Sequence, residues 1–414
     1  MDDVAHSAQS SRHSSSPEKG LHQSTCDFWD SEKEPAIKDA CAQFDVPSLK
    51  ALAQSEGGFL TDDLRRQAWP ILLGHTTRAD DASDSDPSHR SDLETPWQEL
   101  PRHGDEDQVQ LDVNRAFIYY PDNLSDSELA KRKTELSDLI TEVLRRHPFL
   151  CYFQGYHDIC QVFLLVLDPP LRAPLVARLS ILRIRDFMLP TLSPTVAQLR
   201  LLPDILNAAD SKLRRHLSGT EPFYALAGML TMYAHNIEAY GDIARLFDVF
   251  IVREPVFSVY LFAQIVLSRR EELFETSAED PSMLHSILSK VPKELDLESL
   301  ISDSIALLEK YPPTTLPSWR RISSSSCLKT ARSDDSCTTQ SLEDGRRFFQ
   351  VQLAELRRAE RWEELTKRAW VYRRPAGVIG TTVLVAIVAV YLRKHPAPVH
   401  YMTSILWRWL GRVL

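Results

Sequence analysis

Three small groups of polar residues in the first half of the chain have types and spacings that could do chemistry. They are Arg65 with Trp69, Asp112 with Arg115, and Tyr152 with Gln154 and Gly155. An arginine and a glutamine with no cofactor motif beside them have a joint use in transferring a phosphoryl group to water. The guanidinium, inserted from outside, neutralises charge on the phosphoryl group, and the glutamine amide orients the attacking water. An arginine supplied in trans is worth about 10³–10⁵ in rate, roughly 4–7 kcal/mol of barrier. Residue type alone leaves a second reading open, in which Arg115 is an internal ion pair with Asp112 and Gln154 is a buried amide.

Other chemistries lack their motifs. The chain has no G-x-x-x-x-G-K-[ST] loop, no G-x-S-x-G elbow, no H-E-x-x-H pair and no EF-hand loop. His157 and Asp158 are adjacent, and consecutive helical residues point about 100° apart, so adjacency does not make them a hydrolase dyad. Bracing of the helix end or contact with a partner suits them better. Arg65 and Trp69 share a helical face, where core packing or a cation–π contact is the plain expectation. The six cysteines form no C-x-x-C, and no Cys/His metal pattern occurs, so no metal is expected and a reduced cytosolic body is. The net charge of −9 is uneven: residues 78–107 hold ten Asp/Glu against three Arg. That balance argues against a nucleic-acid partner.

The elements that must position these groups read as helices. Ser125-Asp126-Ser127-Glu128 is a capping box opening a helix that His147-Pro148 stops. Thr61 caps another, ahead of Asp62 and Asp63. Leu150–Asp168 carries polar groups at its front and an apolar run from Ile159 to Leu167, the spine of the domain. Helical spacing continues to about residue 312, including the segment Glu221–His235, with little period-2 alternation. The fold class expected is all-α. Residues 1–35 are expected to be disordered and 36–313 to form one helical domain with an acidic insertion at 76–107. A Ser-rich linker would follow at 314–345, where Arg320-Arg321-Ile322-Ser323 has the look of a basophilic kinase site. Residues 346–374 form a basic amphipathic helix, with nine Lys/Arg against four Glu.

Residues 376–392 are seventeen without a charge, flanked by Arg373-Arg374 and Arg393-Lys394. As a helix they span about 25 Å, close to the thinner endoplasmic-reticulum bilayer at about 27 Å. A transmembrane helix over 375–392 is therefore expected, with the greater basic density before it placing the globular domain in the cytosol. The tail 393–414 would lie at the far interface or return as a hairpin arm.

In order, Arg65-x-x-x-Trp69, Val109-x-x-Asp112-x-x-Arg115 and Tyr152-x-Gln154-Gly155 resemble the motifs of the TBC-domain Rab GTPase-activating proteins. The resemblance implies a multi-helical TBC-type domain, followed here by the linker and membrane helix. It also implies a dual-finger mechanism in which Arg115 is the arginine finger and Gln154 positions the water. Asp112, Tyr152, Gly155, Arg65 and Trp69 match supporting positions, and His157 and Asp158 would brace the helix. The partner would be a GTP-bound Rab, which itself holds GTP and Mg²⁺, so the chain needs no cofactor of its own. On this reading it is a GTPase activator and not itself an enzyme. The rival is a non-catalytic, membrane-anchored Rab-binding adaptor. Gln108–Val113, Tyr156-His157-Asp158, Arg185–Met188 and Arg245–Phe250 resemble the endoplasmic-reticulum-anchored branch of the family, which acts in ER-to-Golgi vesicle transport. That implies a single-pass protein of the endoplasmic-reticulum membrane. One departure is Ala116, where Thr or Ser usually follows the finger.

Overall fold

The computed structural model describes residues 32–75, 95–121, 124–293, 295–332 and 336–394, without the side chains of 336, 337, 368, 369, 371–380 and 392. Among these residues the regular elements are all helical. Helix α1 covers 32–43, and α2 (Val46–Gln54) starts where Asp45 accepts the Ser48 N–H. In α3 (Asp62–Leu72) Thr61 caps the first turn by accepting the Leu64 N–H. Helix α4 is Glu106–Val113. Helix α5 (Asp126–Arg146) opens on the complete capping box of Ser125 and Glu128 and stops at His147. Helices α6 (Tyr156–Val166) and α7 (Pro169–Leu182) follow. After a series of short helices come α8 (Tyr240–Val252), α9 (Phe257–Ser268), α10 (Leu297–Lys310) and α11 (Leu342–Lys394).

Helix α6 is the spine. Ile159, Cys160, Val162, Phe163, Leu164 and Val166 have no exposed surface, and each aliphatic or aromatic side chain so buried stabilises the fold by about 1.5–3 kcal/mol. Phe163 meets Trp69 of α3 at 5.3 Å and Phe247 of α8 at 6.0 Å between ring centroids. Arg65 and Trp69 are joined by a third residue, the fully buried Asp248 of α8. Its carboxylate accepts from Arg65 Nε at 3.1 Å, from Trp69 Nε1 at 2.8 Å and from the Phe59 N–H at 3.1 Å. Arg65 also donates to Asp62, whose other oxygen accepts from Tyr240. Burial alone would favour a neutral guanidine, but Asp248 and Asp62 hold Arg65 above its ordinary pKa.

Where one helix is expected over Glu221–His235, the chain forms a 3-10 turn (Pro222–Ala225) and a short helix (Leu226–Leu230), then breaks. Met232 and Tyr233 adopt positive φ of 48° and 65°. The break buries Tyr233 completely, its hydroxyl donating to the Ser258 carbonyl and its ring stacking on Phe250. Tertiary burial outweighs local helix continuity. In the segment expected as a linker, Leu316, Trp319, Ile322, Cys327 and Leu328 are buried, and Asp186 accepts from Ser326 Oγ and the Cys327 N–H.

The chain divides into two units, residues 1–350 and 351–414. In the second, α11 continues from residue 351 to Lys394, and the expectation of a transmembrane helix is corrected there. Among the described residues no helix is long and apolar enough to cross a membrane. Within the uncharged run the backbone is helical, and side chains are described for Thr381–Tyr391. Side chains 371–380, within or beside the expected span, lie outside the description, as do residues 1–31 of the N-terminus expected to be disordered over 1–35, insertion residues 76–94 and tail residues 395–414, whereas residues 32–35 are helical in α1. The membrane partner and the single-pass endoplasmic-reticulum location, which rested on that helix, are withdrawn with it.

Two stability predictions follow from this packing. Asp248→Ala leaves the Trp69 N–H unpaired in the core and the buried Arg65 guanidinium with Asp62 alone, so equilibrium denaturation should show a loss of about 3–5 kcal/mol. His147, at the end of α5, is pushed down to about 4, first by burial and then by Arg146 and Arg346. Because its folded pKa lies below the unfolded value, its stabilising contribution is complete above about pH 6.5 and is lost as pH falls toward 4. Between pH 7 and pH 5 the wild type should lose on the order of 1–2 kcal/mol more than His147→Gln, read from denaturation midpoints.

Candidate active site

The site is built around Asp112, in the last turn of α4, which has no exposed surface. Its Oδ1 accepts from Arg115 Nη2 at 2.5 Å and from Gln108 Nε2 at 3.3 Å, and its Oδ2 accepts from the Tyr152 hydroxyl at 2.9 Å. One carboxylate thus ties the turn carrying Arg115 to the segment carrying Gln154. Asp105 adds a second tie by accepting the Tyr152 N–H at 2.9 Å. Burial, followed by the charge of Asp112, raises the Tyr152 pKa, keeping the phenol a proton donor. The Arg115 side chain is 61% exposed despite its pairing. Gln154 is exposed too, so the buried-amide alternative does not describe it.

Gly155 starts α6 in the left-handed region at φ +99°. A Cβ there would lie 2.6 Å from Thr231 Cγ2. The backbone between Gln154 and α6 therefore needs both the conformation and the bareness of glycine. His157 is buried, its Nε2 3.3 Å from Asp158 Oδ1 and its Nδ1 4.0 Å from Asp112 Oδ2 without a hydrogen bond. Burial lowers its pKa against the pull of Asp158 and Asp112. His235 sits 3.2 Å from the other Asp158 oxygen, and that interaction raises its pKa. Asp158 therefore links α6 to the broken segment after Leu230.

Arg65 and Trp69 lie in the Asp248 cluster and have no contact with Asp112 among their hydrogen bonds and ion pairs. They hold α3 to α8 rather than the arginine. Gln161 was not singled out in the sequence. It is a buried amide within the apolar run of α6, its Oε1 accepting the Phe117 N–H at 3.0 Å and its Nε2 donating to the Tyr120 carbonyl at 3.1 Å. It clamps the loop after Arg115 onto the helix that Gln154 precedes. The signal that could have found it is its isolation as a polar residue in that run.

The Rab-GTPase-TBC domain profile matches residues 62–274, enclosing all of these groups. A GTPase-activating protein, gyp10 of Schizosaccharomyces pombe, is 34% identical over 361 residues, covering 86% of this chain and 92% of that protein. The chain belongs to the Rab-GTPase-TBC family. TBC1 domain family member 20 of Mus musculus is 36% identical over 274 residues, 66% of this chain and 65% of the mouse protein. The TBC fold is matched by the Ypt/Rab-GAP domain of Gyp1p, with a TM-score of 0.52 at 15% identity over 66% of this chain and 99% of that domain. The Chlamydomonas flagellar RabGAP TBC domain gives 0.51 at 13% identity, over 70% and 95%. Membership of the TBC family supports GTPase-activating activity in general and corrects the expectation that the chain is not an enzyme. TBC Rab activators are catalytic: side chains that lower a barrier in trans and are recovered unchanged after each turnover are catalytic groups.

Tyr152→Phe removes one of the donors holding Asp112. Loss of a hydrogen bond to a buried charged group should cost about 1.5–3 kcal/mol in equilibrium unfolding.

Proposed function

We propose that this TBC domain binds a GTP-loaded Rab GTPase and accelerates its hydrolysis of GTP with Arg115 and Gln154. The observation that carries this reading is the bonding of the buried Asp112 to both Arg115 and Tyr152, which brings the two exposed side chains' segments together. The Rab contributes the nucleotide and Mg²⁺. Arg115 has five N–H donors, of which the bond to Asp112 uses one. The remainder can meet charge on the transferring phosphoryl group, while the Gln154 amide holds the attacking water in line. Tyr152 and Asp112 position the arginine, Gly155 lets the backbone beside Gln154 turn, and His157 with Asp158 braces the start of α6.

We take residues 36–313 as the catalytic domain. For the finer assignment we propose a Rab acting between the endoplasmic reticulum and the Golgi. Its support is the branch resemblance at Gln108–Val113, Tyr156–Asp158 and Arg245–Phe250, with the 36% identity to TBC1 domain family member 20.

Single-turnover GTP hydrolysis by a panel of Rab proteins, with the full chain added, tests the reading. Arg115→Ala should reduce the acceleration by about 10³-fold or more, and Gln154→Ala by about 10²-fold. Arg115→Lys should not restore the wild-type rate, because an ammonium lacks the planar fork. If wild type and both alanine variants leave every Rab at its intrinsic rate, the proposal fails.

A further inference from the structure

The loop that follows Arg115 holds apolar side chains in solvent. Ile118 is 70% exposed and Tyr119 41%, and Leu111, four residues before Arg115, is 60% exposed. Single exposed apolar residues are ordinary on protein surfaces, but a group of them around one exposed arginine calls for an explanation. Looseness of the loop does not supply one. At its start the Phe117 N–H is held by Gln161. At its end Tyr120 is buried, its carbonyl accepts from Gln161, its hydroxyl donates to the Ala234 carbonyl, and its ring lies 5.6 Å from that of Tyr240. Phe117 also takes a positive φ of 63°, a conformation that costs a residue bearing a Cβ about 1 kcal/mol or more. A clamped loop with a strained entry and two apolar side chains outside has the construction of a contact surface.

We propose that Ile118 and Tyr119 form an apolar anchor for the partner GTPase, seating against the surface that borders its nucleotide. This rests on the reading of Arg115 as the group that reaches the partner's phosphoryl. Three or four residues of chain extend at most about 10–14 Å. A GTPase close enough for Arg115 to touch its nucleotide therefore lies within reach of the loop. The occupant is the same partner, and the anchor continues the same face. Ile118 brings an aliphatic side chain to bury, and Tyr119 an aromatic body with a polar tip, the kind of side chain enriched at the energetic centres of interfaces. Neither supplies a group that acts on the phosphoryl or the water, so the anchor serves binding and the two fingers serve the chemical step.

The test measures KM and kcat for the full chain acting on the GTP-loaded Rab that responds best in the panel, together with equilibrium binding to that Rab carrying a non-hydrolysable GTP analogue. Ile118→Ser and Tyr119→Ser should each raise KM and the dissociation constant about tenfold or more. Ile118→Leu should recover most of the loss, and thermal melting should show all three variants folded. Unchanged KM and binding in both serine variants overturn the anchor, as does a loss confined to kcat. The Arg115→Ala variant separates this proposal from the one beneath it. If it hydrolyses GTP as fast as wild type while Ile118→Ser binds weakly, the finger assignment falls and the anchor stands.

Discussion

A carboxylate with no exposed surface must find its donors within the protein, and for Asp112 that requirement sets the geometry of the site. Burying an ion costs several kcal/mol unless its oxygens are well met. The donors that meet these oxygens are Arg115, Gln108 and Tyr152, which come from α4, the turn after it, and the segment ahead of α6. Satisfying one charge therefore fixes the spacing between two chain segments forty residues apart. The exposed ends of those segments, Arg115 and Gln154, inherit that spacing. The same solution recurs deeper in the domain, where Asp248 gathers Arg65, Trp69 and the Phe59 N–H and so joins α3 to α8.

Helix α6 connects the two clusters. Phe163 packs against the ring of Trp69, Gln161 holds the loop beyond Arg115, and Asp158 at the first turn reaches His157 and His235. A largely apolar helix thus uses the buried amide of Gln161 and the carboxylate of Asp158 to hold the segments beside the site. The site is supported by a largely buried helix, which is why side chains on loops can keep a defined arrangement.

Local features of this fold were legible in the sequence. The capping box before α5, the Thr61 cap, the stop at His147 and the spine of α6 depend on neighbours within a few residues. The ordered motifs also pointed to the TBC family and hence to its helical architecture. Long-range satisfaction was not legible. Asp248 lies 183 residues from Arg65, and although its place in the apolar run Leu246–Val252 marks it as buried, nothing local says which donors it meets. The break at Met232 and Tyr233 reflects the burial of one phenol against Ser258 and Phe250, which no helical periodicity encodes. The transmembrane expectation came from an uncharged run with basic flanks, and among the described residues no helix is long and apolar enough to cross a membrane. Treating the chain as a non-enzyme separated activation from catalysis, a distinction that the chemistry of donated side chains does not support.

The pairing of Arg115 with Asp112 has a kinetic meaning as well as a structural one. A long, exposed side chain ordinarily gives up about 2 kcal/mol of rotamer freedom when it is immobilised at an encounter. Here one edge of the guanidinium is already fastened while the rest faces solvent. Part of that ordering is completed when the protein folds, so the arginine comes to a partner preorganised, able to swing about its tether without searching for its direction.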